Sequence, residues 1–193
     1  MRAMIVVDLQ NDFVKGGALA LPKADEEYCY KISKKLIPKI LTNAVGLTIF
    51  SQEWHPENHT TFDTYGGEWP AHCVGLTEGA EIIEPINSVL QQFGENYMLV
   101  RKGLSRDNHP YSAFGNDQEN TKLNSILHYN NVTMLDVLGL ATDYCVKDTV
   151  LDGLCNGYHV NLHRGYCRGL TDESEQAAVD EMQAAGALIL EGD

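Results

Sequence analysis

The segment AMIVVD, residues 3–8, is an apolar run with no polar alternation, so a strand made from it must be covered on both faces. Comparable runs recur at 46–51, 97–101, 132–139, 159–163 and 187–191. Between them lie stretches with helical spacing at 24–44, 85–93, 118–129, 142–157 and 172–186, the last opening with the capping-like TDES. Strand and helix alternate along the whole chain. This alternation predicts an α/β fold: a three-layer, doubly wound, mostly parallel six-stranded sheet with helices on both faces. Sheets of this kind carry their sites beyond the carboxyl ends of the strands. With 193 residues, 44% of them hydrophobic, the chain is expected to form one domain over residues 1–193.

Charge and cysteine content narrow the function classes. Fourteen Lys and Arg against 27 Asp and Glu give a net charge of -13, which repels phosphate backbones and anionic lipid surfaces. Neither nucleic acid nor membrane is an expected partner. Five cysteines without a CxxC pair suggest neither a disulfide framework nor a zinc knuckle, and fit reduced thiols. No apolar run reaches the roughly 18 residues of a membrane span, and the first residues lack a cleavage-type pattern. A cytoplasmic enzyme is expected.

Candidate chemistry sits at the strand ends. Asp8 closes the first run, a position equally suited to capping loop amides. Lys102 closes the third, where most lysines would be solvated surface charges. Cys145 follows GLATD, with Thr142 as a suitable N-cap. In the first helical turn the exposed amides and the macrodipole would lower its pKa; the alternative is a packed, inert thiol. Cys29, Cys73, Cys155 and Cys167 are read as packing residues.

The stretch 52–80 is the longest without periodicity, and loops of this length are usually functional. Its SQEWHPENHTTF and EWPAHC segments offer Glu53, His55 and His72 as ligands for zinc, iron or manganese. His59 is a further or supporting ligand candidate. A second irregular stretch, 103–117, reads GLSRDNHPYSAFGND.

Taken in order, IVVDLQNDFVKGGALALP, SQEWHPENHTTF, WPAHC, RKG, YSAFG and GLATDYCVKDTVLDG resemble the nicotinamidase/pyrazinamidase branch of the isochorismatase-like cysteine hydrolases. The resemblance covers nearly the whole chain. It implies a catalytic triad of Asp8, Lys102 and Cys145, and an oxyanion hole from the backbone amides of Ala141 and Cys145, with a cis peptide bond before Ala141. It implies one divalent transition metal, zinc foremost with iron and manganese as alternatives, on Glu53, His55 and His72. It also implies a substrate pocket walled by Phe13, Trp69 and Tyr111, with Leu19 nearby. The family usually has aspartate where this chain has Glu53. The implied activity is hydrolysis of nicotinamide, and of pyrazinamide, to the acid and ammonia in NAD salvage, by a homo-oligomer. The rival readings are a related cysteine hydrolase acting on a carbamoyl or ureido amide, and a metal-binding regulatory relative without turnover.

Overall fold

Strand β1, Arg2–Val7, is buried at every position after the first. Successive side chains of a strand point to opposite faces, so its complete burial requires cover on both. The computed structural model describes residues 1–42, 46–92 and 97–191. In it β2 (Thr48–Glu53), β3 (Met98–Lys102), β4 (Met134–Leu140), β5 (His159–Arg168) and β6 (Leu188–Leu190) join β1 in one sheet of order β3-β2-β1-β4-β5-β6. All five pairings are parallel. The expected mostly parallel, doubly wound sheet is therefore parallel throughout.

The crossovers carry α1 (Glu26–Thr42), α2 (Ile86–Gln92), α3 (Leu123–Tyr129), α4 (Lys147–Cys155) and α5 (Asp172–Ala184). Helix α1 buries Tyr28, Ile32, Leu36 and Ile40 at four-residue spacing, one apolar stripe laid on the core. Helix α5 begins with a reciprocal capping box in which Thr171 accepts from the Ser174 amide and Ser174 bonds back to the Thr171 amide, as TDES suggested. Among the described residues no helix is long and apolar enough to cross a membrane.

Several boundaries differ from expectation. Helix α3 starts at Leu123 rather than 118, because the Asn116 and Asn120 side chains bind nearby backbone amides and Lys122 has φ 70°, which tie 116–122 into turns. Strand β5 runs to Arg168 rather than 163, beyond a register shift between Val137 and Gly139 on β4. Gly139, at φ 127°, lets that bulge pass β1: a Cβ there would stand 2.1 Å from the Val7 carbonyl oxygen. The expected helix ends at 43–44 and 93 lie outside the described residues.

The sheet order reverses between β1 and β4. The segments leaving β3, β2, β1 and β4 emerge side by side at their carboxyl ends, where a crevice opens in sheets of this type.

Candidate active site

The four neighbouring strand ends bring distant residues together. Glu53 is the last residue of β2, Lys102 the last of β3, and Asp8 follows β1. Cys145 lies in a π-helical turn, Thr142–Val146, between β4 and α4. All four are at most 5% exposed. Lys102 Nζ stands 2.9 Å from Asp8 Oδ2, 2.9 Å from Glu53 Oε1 and 3.4 Å from Cys145 Sγ. The carboxylates of Asp8 and Glu53 and the thiol lie within 4.8 Å of one another.

A buried ammonium is stable only when paired. Burial alone would lower the Lys102 pKa, but the negative charges of Asp8, Cys145 and Glu53 outweigh it and hold the ammonium well above its ordinary range. Burial would likewise raise Glu53, yet Lys102 and His109 hold its carboxyl well below the ordinary range. The thiol behaves contrary to expectation. Burial pushes Cys145 well above the ordinary thiol range; Lys102 opposes this, while Asp8 and Glu53 reinforce it. Desolvation and two carboxylates thus outweigh the helix-end effect invoked from the sequence. The thiol is held protonated, and a base is required to activate it.

Thr142 is not the cap that the sequence suggested: its buried hydroxyl has no hydrogen-bond partner among the described residues. The turn is held instead by the Ala141 carbonyl, which accepts from the amides of Tyr144 and Val146 at 3.2 and 3.0 Å. The peptide bond between Leu140 and Ala141 is cis, as the resemblance implied. Among the other cysteines Cys73 and Cys167 are buried, Cys29 is half-buried and Cys155 is exposed. Cys155 is therefore not the packing residue expected; the end of α4 leaves it facing solvent.

Beside the thiol, three imidazoles converge on Glu53. His55 and His72 place Nε2 3.1 and 3.0 Å from Oε2, while His109 Nε2 is 3.0 Å from Oε1. The opposite nitrogens of His55 and His72 meet the carbonyls of Gly103 and Pro70, at 3.0 and 2.7 Å. A carbonyl only accepts, so each Nδ1 carries the proton and each Nε2 is left with its lone pair toward the carboxylate. Lone pairs facing lone pairs repel unless a cation or a proton lies between them. One carboxylate with imidazoles in this tautomer is a donor set suited to zinc, iron or manganese, so the residues fit the implied metal.

His59 does not join them. Its Nδ1 accepts from the Thr61 amide at 3.1 Å and its Nε2 donates to the Asn108 carbonyl at 3.1 Å, so both nitrogens are committed. Burial, then the neighbouring His55, lowers its pKa to about 4. It is a packing partner of the His55 ring, with centroids 4.3 Å apart.

Three residues at this site carry no signal in the sequence. His109, in the second irregular stretch, joins Glu53, and Gln10 clamps the Glu53 backbone by accepting from its amide at 2.9 Å and donating to its carbonyl at 2.8 Å. Gln10 sits two residues beyond Asp8, and no spacing rule marks it. Ser51, also unremarked, donates to Asp8 Oδ1 at 2.6 Å. The other Asp8 oxygen, Oδ2, faces the Lys102 ammonium at 2.9 Å.

Glu53, His72, His109 and Cys145 line one side of a small cavity. Phe13, Leu19, Trp69 and Tyr111 form its walls, together with Leu21, Tyr144 and Leu170. Trp69 Nε1 donates to the Tyr111 hydroxyl at 3.4 Å, and Tyr144 packs against both rings at centroid distances of 5.4 and 5.3 Å. The walls are mostly aromatic and aliphatic, and the polar groups gather on one side. Such a lining suits a small flat ring with one polar substituent.

A buried cysteine, two carboxylates and a lysine thus meet at the strand ends of a parallel α/β sheet, where enzymes of this architecture carry their sites. The chain belongs to the isochorismatase domain family, which it matches over residues 2–193. It is similar to the nicotinamidase of Escherichia coli strain K12, 37% identical over 97% of this chain and 93% of that protein. Among solved structures it resembles the pyrazinamidase of Pyrococcus horikoshii in complex with zinc, at 37% identity, a TM-score of 0.86 and 98% coverage of both chains. It also resembles PnC1 from L. infantum in complex with nicotinate, at 30% identity and a TM-score of 0.87, covering 98% of this chain and 92% of that one.

Proposed function

We propose that this protein is a nicotinamidase, an amidohydrolase that converts nicotinamide to nicotinate and ammonia and accepts pyrazinamide as an analogue. The observation that carries the proposal is the meeting of Asp8 and Lys102 with Cys145, which lines a small aromatic cavity, in a chain whose relatives are named for this activity. The family relation and the nicotinate held by the L. infantum protein support the substrate class.

In this reading Asp8, its carboxylate held beside Lys102, takes the thiol proton of Cys145. The sulfur attacks the carboxamide carbon, and the amides of Ala141 and Cys145 receive the developing oxyanion. Lys102 stabilises the thiolate as it forms, offsetting the penalty of a buried negative sulfur. The carbon–nitrogen bond breaks as Asp8 returns the proton to departing ammonia, leaving a thioester on Cys145. Water hydrolyses that thioester to nicotinate, and the thiol is restored.

Glu53, His55 and His72 would hold the divalent ion, with zinc our first assignment by analogy with the P. horikoshii protein. Held there, it would supply a Lewis-acid contact for the pyridine nitrogen, and Phe13, Trp69 and Tyr111 would confine the faces of the ring. We assign the protein to NAD salvage in the cytoplasm.

The deciding assay is ammonia release from nicotinamide by the purified protein. We expect turnover, and its loss by at least 1000-fold in Cys145→Ala with thermal unfolding little changed. Comparable turnover by the variant would overturn the covalent route. No ammonia from nicotinamide, but turnover of a carbamoyl substrate, would replace the substrate assignment.

A further inference from the structure

We infer that His109 is a fourth metal ligand, making the site one carboxylate and three imidazoles rather than the three-residue set the resemblance supplies. The inference rests on the metal reading above and extends it to a residue from a different loop.

Four histidines surround Glu53 or pack beside it, and their ring nitrogens face different partners. His55 and His72 share two properties: Nε2 about 3 Å from a Glu53 oxygen, and Nδ1 against an oxygen that can accept its proton. His109 has both. Its Nε2 is 3.0 Å from Glu53 Oε1 and its Nδ1 is 3.1 Å from the Thr61 hydroxyl. That hydroxyl can accept Nδ1–H, which leaves the Nε2 lone pair directed inward. His59 has neither: an amide that can only donate faces its Nδ1, and a carbonyl that can only accept faces its Nε2. One residue, Thr61, sorts the two, giving its backbone amide to His59 and its hydroxyl to His109.

Distance and packing agree. One ligand atom from each of Glu53, His55, His72 and His109 lies within 4.8 Å of every other. The His109 ring packs on His55 at 5.0 Å and on Tyr111 at 4.7 Å between centroids, so it is held from two sides.

The fourth ligand has a chemical consequence. A tetrahedral ion with four protein donors has no open position, whereas catalytic zinc sites normally keep one. For a substrate atom to reach the ion, the site must hold it in five- or six-fold coordination. Ions that adopt such geometry readily, such as iron(II), manganese(II) or cobalt(II), suit the set, and zinc would need to expand its shell.

The test uses the whole protein loaded with cobalt(II), with affinity from chelator competition and geometry from the visible absorption spectrum. The wild type is expected to bind one ion with the weak absorption of five- or six-coordinate cobalt. His109→Ala should lose at least tenfold in affinity and show an altered spectrum, and Thr61→Val should weaken binding less while the histidine remains. If the wild type and Thr61→Val bind cobalt with the same affinity and spectrum as His109→Ala, and His55→Ala does not, the fourth-ligand assignment is wrong and the three-residue site stands. If the wild type binds no ion at all, the metal reading fails and this inference falls with it. Should His109→Ala not fold, an unchanged affinity and spectrum in Thr61→Val would overturn the assignment.

Discussion

Lys102 is the residue on which the centre balances. Its ammonium has no exposure to solvent and stands between Asp8 and Glu53 at 2.9 Å from each. Glutamate in place of the family's usual aspartate matters here, because one carboxylate meets both the lysine and the histidines: Oε1 faces Lys102 and His109, and Oε2 faces His55 and His72. Removing the cation would leave two buried carboxylates uncompensated. For the metal-free protein Lys102→Met is therefore expected to cost roughly 3–5 kcal/mol, a fall of about 6–20 °C in Tm for a chain of this size. Calorimetry of the variant, with an assay for ammonia alongside, checks both the stability and the activity that should vanish with it. An unchanged Tm would mean that Lys102 is not the charge that balances the pair.

At the scale of elements, the loop leaving β3 sets the orientation of a ligand from another strand. Gly103 has φ 70°, and a Cβ there would lie 2.3 Å from His55 Cε1, while its carbonyl receives Nδ1 of the same ring. The carboxylate of Glu119 gathers the amides of Gly103, Leu104 and Ser105 at 2.5, 3.0 and 3.3 Å and so fixes this turn. Gly103→Ala should cost about 1–2 kcal/mol from the left-handed backbone alone and, by pushing His55 aside, lower metal content measured by elemental analysis. Full metal occupancy in that variant would show that the ring has room to move. None of this could be seen in the spacing of residues. The strands were legible because a strand covered on both faces must be continuously apolar, and Asp8, Lys102 and Cys145 were legible because strand ends and a helix start can be found from such runs. His109 was not: its partner Glu53 lies 56 residues away, and 103–117 has no periodicity to register it. The thiol's environment was misjudged for a related reason. Proximity to a helix start is local, whereas the desolvation and the two carboxylates that raise Cys145 arrive from other strands.

Over the whole molecule, the sheet separates its reactive end from a second charged cluster near the amino ends of β1 and β4. Asp136 on β4 accepts from Asn161 Nδ2 at 2.8 Å and lies 3.3 Å from His163 Nε2, both on β5, while Arg2 Nε of β1 stands 3.4 Å away. One carboxylate thus ties three adjacent strands. Burial would raise its pKa, but the neighbouring side chains of His163 and Asn161 and the charges of His163 and Arg2 hold it below its ordinary 3.8. A carboxyl with a depressed folded-state pKa gives stability that is complete above the unfolded value and is lost as pH falls through the folded one. The difference in unfolding free energy between wild type and Asp136→Asn should therefore shrink as pH falls below 3.8. Urea unfolding at pH 5, 4 and 3 measures it, and taking the difference cancels the titrations of groups remote from Asp136, those of the Glu53 cluster included. Ammonia release at neutral pH should be nearly unaffected, because none of these residues lines the cavity. A gap that stays constant down to pH 3 would show that Asp136 supports the sheet through shape and not through its charge.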